Sequence, residues 1–515
     1  MSSPTTRREF LRVSTGVMIL AMAPIATATI LPTMRVASDA QPLTLTTLGD
    51  ARSLPPKILG ASAEPLIEHL LDDPRKIAAI KETAPAIIRF PGGSQSNYYN
   101  WRDGLLHFDP QPNSSEYYKF WANAAPRIAQ AFPNGISYEQ YFAFATQIGD
   151  ADVVLVPNLE TSSIDEQVAW FKKLASENIL TREIELGNEF WVAMAGDPNV
   201  MRVWPNAKYS MEVMHRYEQA LRPLIGAGAQ FAVQASAASF VFLPNDTRPF
   251  VRRLLQWDQD LAPAEWFEAV TAHLYPNPSF IAAEAGNPSP SELFSLLMGR
   301  SDAGVDRALN DVAKRVPGKE IWVTEWNPRG GSFADLNQPE RDKVTPPMNA
   351  QLITRTTLAM LRHPEVTKSL YFTLYSTNGS ALQTYVQAGN QFVPMAPAVV
   401  LRWFNDAANG GSSFQRVVEA NDRPISGLGP FKESYHPIEG GLFHSDKRTV
   451  LILQNASTEA RRYDPTDQGA KPARVEMLVA SDFGNTAHIP AQVTPLDPNA
   501  PLVLPSLSIA RVIWE

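Results

Sequence analysis

The sequence predicts a (β/α)8 barrel followed by an antiparallel β-sandwich. From about residue 57, short β-branched or apolar runs alternate with longer amphipathic segments, the pattern of a parallel sheet with crossover helices. Eight such runs occur, and each precedes a helical segment. Eight is the number of parallel strands that closes a (β/α)8 barrel. After about residue 409 the pattern changes to short alternating runs separated by turn residues, which is typical of a sandwich. A doubly wound open sheet remains the alternative, because strand order is invisible in a sequence.

The predicted elements follow from these runs and from their boundary residues. Asp73-Pro74 and Ser137 are suitable helix starts, because they supply a capping side chain and, in the first case, a proline for the first turn. The predicted barrel strands cover 58–61, 86–90, 152–157, 183–186, 231–235, 269–272, 320–324 and 369–373. The predicted helices cover 74–83, 138–148, 164–177, 209–225, 248–257, 291–315, 350–362 and 397–405.

These elements divide the chain into four segments. Residues 1–28 form a predicted signal, and residues 29–56 a lead-in whose alternation over 42–47 is compatible with an extra strand of the sandwich. The barrel then covers 57–408 and the sandwich 409–515. The insertion over 92–134, after the second barrel strand, is rich in aromatic residues and proline, which favours a binding loop.

Composition excludes several classes of function. The chain has 515 residues, with 45 basic against 53 acidic side chains and a formal charge of −8, so it lacks the basic excess of a nucleic-acid-binding protein. It has no cysteine, which excludes disulfides, thiolate zinc sites, iron–sulfur clusters and thiol nucleophiles. The eight histidines are scattered and no zinc or phosphate-loop motif occurs, so neither a metal nor a cofactor is predicted.

The N-terminus resembles a twin-arginine export signal. Arg7-Arg8 precedes an apolar run over 17–25, and Ala26-Thr27-Ala28 has the small-x-small pattern of a cleavage site. A retained membrane anchor is the alternative, but the run is shorter than the roughly 20 residues that span a bilayer. The resemblance implies export to the periplasm or the medium, without membrane attachment after processing.

Two glutamates mark the candidate active site. Glu189 closely follows the fourth predicted barrel strand and Glu325 the seventh, and the carboxyl ends of barrel strands form the active-site face. Each lies in an apolar run, where an unpaired charge is costly. Two carboxylates facing each other are what glycoside hydrolysis needs, since one protonates the leaving oxygen while the other attacks or activates water.

The residues around these glutamates resemble the retaining glycoside hydrolases of clan A. The matching sequences are Gly187-Asn188-Glu189 and Thr324-Glu325. The resemblance implies that Glu189 is the general acid/base, that Glu325 is the nucleophile and that Asn188 holds the sugar 2-hydroxyl. It also implies that Arg89 points at Glu325 and keeps it ionised, although a structural ion pair with another carboxylate remains open.

At the level of families the resemblance divides. Ile88-Arg89-Phe90-Pro91-Gly92-Gly93 resembles the signature of family 51 arabinofuranosidases. The spacing from Glu64 through Asp73-Pro74 to Gly92-Gly93-Ser94 is closer to the family 79 glucuronidases and heparanases, as is Gly330-Gly331. Glu64 and the segment His273-Leu274-Tyr275 are similar to substrate-side residues of the clan.

Further residues are candidates for substrate contact. His273 and Tyr275 alternate with Leu274, so both are expected to face the barrel interior and to bond the nucleophile or the sugar. Tyr375 and the backbone N–H groups of Gly330 and Gly331 would bind a uronate carboxylate. Aromatic residues after the strands would stack on sugar rings, and these are Tyr98, Tyr99, Trp101, Trp191, Trp326 and Tyr375.

The sequence therefore predicts a retaining glycoside hydrolase acting on an oligosaccharide or glycoside. The candidate nest at Gly330-Gly331 favours a terminal uronic acid, as in a β-glucuronidase. An α-L-arabinofuranosidase or another neutral exo-glycosidase is the first alternative. A carbohydrate-binding barrel without catalysis is the alternative from another class. The sugar, the linkage and the oligomeric state are not predicted.

Overall fold

The computed structural model describes eleven stretches of the chain and two isolated positions. They are residues 40–68, 71, 73–108, 116–191, 204–243, 246–262, 264–278, 281, 285–286, 288–328, 345–373, 384–479 and 491–515. The predicted signal over 1–28 lies outside the described residues, as do Gly330, Gly331 and Tyr375.

The strands are numbered in chain order. They are β1 Gln41–Leu43, β2 Leu45–Ser53, β3 Leu59–Ser62, β4 Ile87–Phe90, β5 Tyr99–Asn100, β6 Leu105–Leu106, β7 Asp152–Leu155, β8 Glu183–Glu185, β9 Gln230–Gln234, β10 Ala269–Leu274, β11 Glu320–Trp326, β12 Val366–Phe372, β13 Tyr385–Ala388, β14 Gln391–Pro394, β15 Ser413–Glu419, β16 Ile425–Leu428, β17 Glu433–Tyr435, β18 Ile438–His444, β19 Thr449–Asn455, β20 Arg461–Tyr463, β21 Arg474–Val479, β22 Val493–Leu496, β23 Leu502–Leu504 and β24 Ser508–Trp514.

The helices of the described residues connect the barrel strands and cover them. They are Pro65–Glu68, Pro74–Thr83, Glu116–Ala131, Tyr138–Gln147, Ile164–Ser176, Ala207–Ile225, Pro249–Leu261, Pro290–Gly299, Val305–Arg315, Pro346–Leu361 and Ala396–Ala408. A π-helical turn, Arg300–Gly304, joins two of them, so the helix predicted over 291–315 is interrupted. None of the helices in the described stretches has the length and apolar content needed to cross a membrane.

A closed parallel barrel confirms the predicted fold class. Its order is β3, β4, β7, β8, β9, β10, β11 and β12, and β12 pairs with β3 to close it. That closure rules out the open sheet. Each strand overlaps its predicted span, because the β-branched runs that identified the strands are the buried ones.

The barrel interior changes from apolar to polar along its axis. Its amino-terminal half is filled by side chains that pack as one cluster, namely Ile87, Val154, Ala232, Ala269, Trp322 and Leu370. Since side chains alternate along a strand, the residue two positions beyond Ile87 also points inward, and that residue is Arg89. Thr324 stands in the same relation to Trp322. A polar layer therefore lies at the carboxyl ends of the strands.

The C-terminal part is a β-sandwich that incorporates the start of the described chain. Seven strands form one sheet in the order β2, β15, β18, β19, β24, β21 and β22, and β1, β20 and β23 form a second sheet. Leu43, Tyr463 and Leu504 of the second sheet pack on the first, for example on Val512. The other face of the large sheet packs against the barrel helices, where Phe443 contacts Phe404.

Candidate active site

A β-bulge near the end of β11 orients Glu325. Thr271 pairs with Trp322, but the next pair is His273 with Glu325, so β11 contains one residue more than β10 in this interval. The extra residue breaks the alternation, and Thr324 and Glu325 both reach the polar layer although they are consecutive. Glu325 is 5% exposed.

A tight turn after β8 carries Glu189. Gly187 and Glu189 both have positive φ values, 77° and 51°, which turn the chain back toward the barrel mouth. Two buried amide side chains hold this turn. Gln234 accepts from the N–H of Phe190 at 2.6 Å and donates to the carbonyl of Leu186 at 2.9 Å.

The second amide clamp comes from the insertion after β4. Asn97 accepts from the backbone N–H of Asn188 at 3.0 Å and donates to its carbonyl at 2.9 Å. An amide is the side chain that provides a donor and an acceptor together, so each clamp satisfies both groups of a buried backbone. The clamps explain how a non-glycine residue, Glu189, is held at positive φ.

The two glutamates face each other at short range. One carboxylate oxygen of Glu189 and one of Glu325 lie within 4.8 Å of each other, and a ring nitrogen of His273 lies within the same distance of both. Retaining glycosidases hold their carboxyl groups about 5–5.5 Å apart, whereas inverting enzymes need roughly 6.5–9.5 Å to admit a water. The separation therefore corresponds to the retaining arrangement.

Glu325 is held by donors on both oxygens. Arg89 Nη1 donates to Oε1 at 2.6 Å, and the Tyr275 hydroxyl donates to Oε2. Gly93 lies against the same carboxylate, because a Cβ at this position would stand 2.7 Å from Glu325 Oε1 and 3.3 Å from Glu64 Oε1. Glu64 thus lies beside Glu325, and the absence of a side chain at Gly93 leaves room for both.

Arg89 connects three side chains of the site through four hydrogen bonds. Besides Glu325, it donates to Glu185 through Nε at 2.7 Å and Nη2 at 2.8 Å, and to Asn188 Oδ1 at 2.7 Å. Burial alone lowers the pKa of Arg89, but Glu185 and Glu325 raise it well above its usual value. Arg89 therefore has both of the partners that the sequence left open, since it binds the candidate nucleophile Glu325 and the structural carboxylate Glu185 at once.

His273 joins the two glutamates. Its Nδ1 lies 2.6 Å from Glu189 Oε1 and 3.6 Å from Glu325 Oε2, and its Nε2 lies 3.1 Å from Thr324 Oγ1. Burial lowers the pKa of His273, but the charge of Glu325 and hydrogen bonds to Glu185 and Glu189 outweigh it and raise the pKa to about 10. At neutral pH the ring is therefore a cation that donates through both nitrogens.

Glu189, His273 and Glu325 together offer three ligand atoms for a metal ion. In this structure protein groups already occupy most of these atoms: Arg89 and Tyr275 bind the oxygens of Glu325, and the imidazolium bonds Glu189. A metal would have to displace the proton of His273 first. The donor set is better matched to proton transfer than to metal binding.

The structure brings most of the predicted site residues together. Glu64, Arg89, Asn188, Glu189, His273, Tyr275 and Glu325 surround one space at the carboxyl ends of the strands. Gly330, Gly331 and Tyr375 lie outside the described residues, so the structure provides no contact for the proposed uronate nest.

Trp326 requires a correction. The bulge that turns Glu325 inward turns Trp326 to the outer face of β11, where it is 2% exposed and meets Tyr371 edge to face at 5.2 Å. Trp326 is therefore a packing residue and not a substrate contact. Tyr98 and Tyr99 are likewise buried in the core, so they offer no free ring for a sugar.

Sequence reasoning missed three residues of the site. Glu185 binds Arg89, and Gln234 and Asn97 hold the turn of Glu189. One signal was available for Glu185: it lies between Ile184 and Leu186 at the end of a buried strand, and an acidic residue in such surroundings must find a buried cation. The amides gave no such signal, because their partners are backbone groups distant in sequence.

Sequence comparison with known proteins finds no relative. No protein-family model matches the chain, and no curated protein matches it. Structural comparison does find neighbours, and those described below have low sequence identity, so their likeness concerns the fold.

Three solved structures illustrate these neighbours. A family 51 α-L-arabinofuranosidase from Bifidobacterium longum is 15% identical with a TM-score of 0.60, over 93% of this chain and 98% of that one. A xyloglucanase of glycoside hydrolase family 44 from Paenibacillus polymyxa is 12% identical with a TM-score of 0.55, over 92% and 99%. A 4-O-α-L-rhamnosyl-β-D-glucuronidase from Fusarium oxysporum is 12% identical with a TM-score of 0.53, over 91% and 99%. The chain shares the barrel-and-sandwich fold along nearly its whole described length.

Proposed function

We propose that the protein is a retaining glycoside hydrolase that removes a terminal sugar through a covalent glycosyl-enzyme. The observation that carries this proposal is the pair Glu189 and Glu325, whose oxygens lie within 4.8 Å at the mouth of the barrel. Their surroundings differ as the two roles require: Glu325 is bound by Arg89 and Tyr275, while the Glu189 side chain is 20% exposed. The fold shared with three kinds of glycosidase supports the same assignment.

In the first step a Glu325 oxygen attacks the anomeric carbon and the bond to the leaving oxygen breaks. Glu189 gives its proton to that oxygen, so the leaving group departs as an alcohol. The hydrogen bond from His273 Nδ1 to Glu189 Oε1 leaves the other oxygen of Glu189 to carry the proton. In the second step Glu189 takes a proton from water, which attacks the same carbon and releases Glu325.

Asn188 contributes a hydrogen bond to the sugar. Its Oδ1 accepts from Arg89, and its Nδ2 is buried with no hydrogen-bond partner among the described residues. An unpaired buried donor is costly, so a substrate hydroxyl is the natural acceptor for it. The contact strengthens as charge develops on the ring, which makes it a contribution to the transition state.

For the sugar, the described part of the site favours a neutral residue over a uronate. Glu64 adds a second carboxylate beside Glu325, and the donors of Arg89 that face the site are occupied by Glu325 and Asn188. A uronate would meet this negative charge, whereas the hydroxyls of a neutral sugar can donate to Glu64. An α-L-arabinofuranoside is the first substrate to test, in view of the arabinofuranosidase neighbours.

A β-glucuronide is the second candidate. The segment Arg329-Gly330-Gly331 is its support, because successive backbone N–H groups close to Glu325 can bind a carboxylate. Aryl glycosides of arabinofuranose, glucose and glucuronic acid separate the candidates. We expect the neutral arabinofuranoside to give the highest kcat/KM; a preference for the glucuronide over the matching glucoside of 100-fold or more, on the order of 3 kcal/mol, would reverse the assignment.

Covalent labelling tests the mechanism. A 2-deoxy-2-fluoro glycoside of the preferred sugar should inactivate the protein and add its mass to the peptide that contains Glu325. Glu325→Gln should lower kcat by roughly 10⁴-fold or more, as removal of a nucleophile does in other covalent enzymes, while the protein stays folded. Labelling of another residue, or a product of inverted anomeric configuration, contradicts the proposal. Binding of glycosides without any turnover would instead support a carbohydrate-binding protein.

The twin-arginine pattern at Arg7-Arg8 leads us to propose that this activity operates after export. A fusion of residues 1–28 to a reporter tests the export signal separately from the enzyme.

A further inference from the structure

We propose that Glu185 is a positioning residue of this site, which fixes Arg89 so that one guanidinium holds both Glu325 and Asn188. The inference rests on the proposed function, because it assigns Glu185 to the step in which Glu325 acts as nucleophile. Glu185 touches neither the substrate space nor the reacting atoms. It acts through Arg89.

The contacts of Arg89 show how this positioning works. Glu185 takes Nε and one N–H of Nη2 through its two oxygens, at 2.7 and 2.8 Å, in the planar fork typical of an arginine–carboxylate pair. The opposite side of the guanidinium then meets Glu325 through Nη1 and Asn188 through Nη2. A bidentate partner fixes the guanidinium plane. The orientation of that plane in turn determines the positions of the Glu325 and Asn188 side chains.

Glu185 also balances the charge of the polar layer. The side chains of Arg89 and Glu185 are completely buried, and the cationic ring of His273 is 3.9 Å from Glu185 Oε1. Thr324 Oγ1 donates to the same oxygen at 3.2 Å. Burial raises the pKa of Glu185, but Arg89 and His273 outweigh it and hold the pKa below its usual value, so the group is a carboxylate.

Without Glu185, Arg89 would be free to turn its fork onto Glu325. A nucleophile that accepts two charge-assisted hydrogen bonds is more stabilised in its ground state and attacks less readily. Asn188 would lose the partner of its Oδ1 at the same time. A purely structural role would have a different result, since it would lower stability without changing the chemistry of the folded protein.

The test compares Glu185→Gln with Glu183→Gln. Glu183 is the matched control, because it lies two residues earlier on β8 and forms an ion pair with Lys368 at 2.9 Å, at the other end of the barrel. For the aryl glycoside that the wild type hydrolyses, we expect Glu185→Gln to lower kcat on the order of 100-fold, with a smaller change in KM. Glu183→Gln should leave kcat unchanged.

The pH profile of kcat/KM distinguishes positioning from a purely structural role, because loss of stability alone would leave the profile of the folded protein unchanged. Removing a buried negative charge favours the deprotonated forms of the acids nearby, so both limbs of the profile should move to lower pH in Glu185→Gln. Glu185→Asp keeps the charge and shortens the reach by one methylene; it should keep the wild-type limbs while kcat falls. This second variant also serves if Glu185→Gln does not fold.

Active-site titration with the 2-fluoro glycoside counts the competent molecules in each preparation. The proposal is overturned if kcat per competent molecule is unchanged in Glu185→Gln. It is also overturned if the limbs of the pH profile lie at the same pH in Glu185→Gln and Glu185→Asp. These outcomes differ from failure of the proposed function, which appears in the wild-type protein alone as absence of hydrolysis or of labelling at Glu325.

Discussion

Two of the buried charge clusters in the described part of the chain differ in the sign of their excess charge. The axis cluster lies at the barrel mouth and consists of Arg89, Glu185, Glu189, His273 and Glu325. The interface cluster joins the helix Pro346–Leu361 to the sandwich and consists of Asp302, Arg355, Arg362, Arg416 and Glu439. Of these residues, the first cluster contains three acids and two cations, and the second contains two acids and three cations. Arg362 also pairs with Asp306 at 3.0 Å, but that side chain is 34% exposed and is not counted with the buried groups.

We expect this difference to separate a cluster that exchanges protons from one that stabilises the fold. In the interface cluster Glu439 accepts from Arg355, from Arg416 twice at 2.9 Å and from Arg362 at 3.4 Å. Burial raises the pKa of Glu439, but these three arginines outweigh it and lower the pKa to about 2, so the carboxylate has no proton to exchange. In the axis cluster the surplus acid is Glu189, which remains partly exposed. We therefore expect proton exchange in the axis cluster and none at Glu439.

Removing Glu189, the surplus acid of the axis cluster, should have the largest effect on catalysis. In Glu189→Ala, kcat/KM for a phenyl glycoside with a poor leaving group should fall by roughly 10²–10⁴-fold, the usual contribution of a general acid. A dinitrophenyl glycoside needs no proton and should still form the glycosyl-enzyme, whose breakdown azide should accelerate. Steady-state kinetics with a series of leaving groups measure both effects.

Glu166→Ala is the control for that experiment, because Glu166 forms an exposed ion pair with Arg102. Its kinetics should match the wild type. Equal losses for good and poor leaving groups, together with no response to azide, would show that Glu189 is not the acid.

Breaking the interface cluster should affect stability and leave chemistry unchanged. Glu439→Gln removes the carboxylate that three arginines share, and loss of one member of a buried ion cluster costs about 3–5 kcal/mol of unfolding free energy. Denaturant unfolding measures this loss, and kcat of the remaining folded protein should equal that of the wild type.

The matched control is Glu419→Gln in the same sandwich. Glu419 pairs with Arg461 at 3.1 Å and both side chains are partly exposed, so the cost should be about 1 kcal/mol or less. If Glu439→Gln unfolds at the same denaturant concentration as this control, the interface cluster does not hold the two domains together.

The sequence was sufficient for the elements whose signal is local. The eight barrel strands and the helix starts at Asp73 and Ser137 were predictable, because buried β-branched runs and capping side chains act within a few residues. The positions of the two glutamates were predictable for the same reason, since Glu189 closely follows β8 and Glu325 lies near the end of β11.

The errors and omissions involve contacts between distant segments. Trp326 was predicted as a sugar contact from its position at the end of a strand, but the face on which it lies depends on the bulge in β11, which is set by pairing with β10 and β12. Glu185 was overlooked because its partner, Arg89, is 96 residues away. The antiparallel pairing of β2 with β15 also depends on tertiary structure, although the alternation over 42–47 was visible.

Another buried acid, Asp258, belongs to neither cluster, and its substitution should have the smallest effect. It lies on the helix Pro249–Leu261 and accepts from the N–H of Ser236 at 2.6 Å; Ser236 Oγ lies 3.0 Å from its Oδ2 and 2.9 Å from the carbonyl of Leu254. Burial raises the pKa of Asp258 to about 7. One hydroxyl proton cannot serve two acceptors, so a protonated Asp258 donating to Ser236, which donates to Leu254, satisfies all three groups.

The sign of the pH dependence follows from that raised pKa. In the unfolded chain Asp258 ionises near pH 4, so between about pH 4 and pH 7 the folded state binds the extra proton and stability decreases as the pH rises. Asp258→Asn offers an N–H to Ser236 Oγ and an oxygen to the Ser236 N–H without titrating. Between pH 5 and pH 8 the free energy of unfolding of Asp258→Asn should rise by about 1 kcal/mol or more relative to that of the wild type, since each unit of pKa shift corresponds to ~1.4 kcal/mol. Thermal unfolding across this range measures the gain, with Asp260→Asn on the same helix as the control. A constant difference between variant and wild type would show that Asp258 is ionised in the folded protein and that burial without a cation does not protonate it.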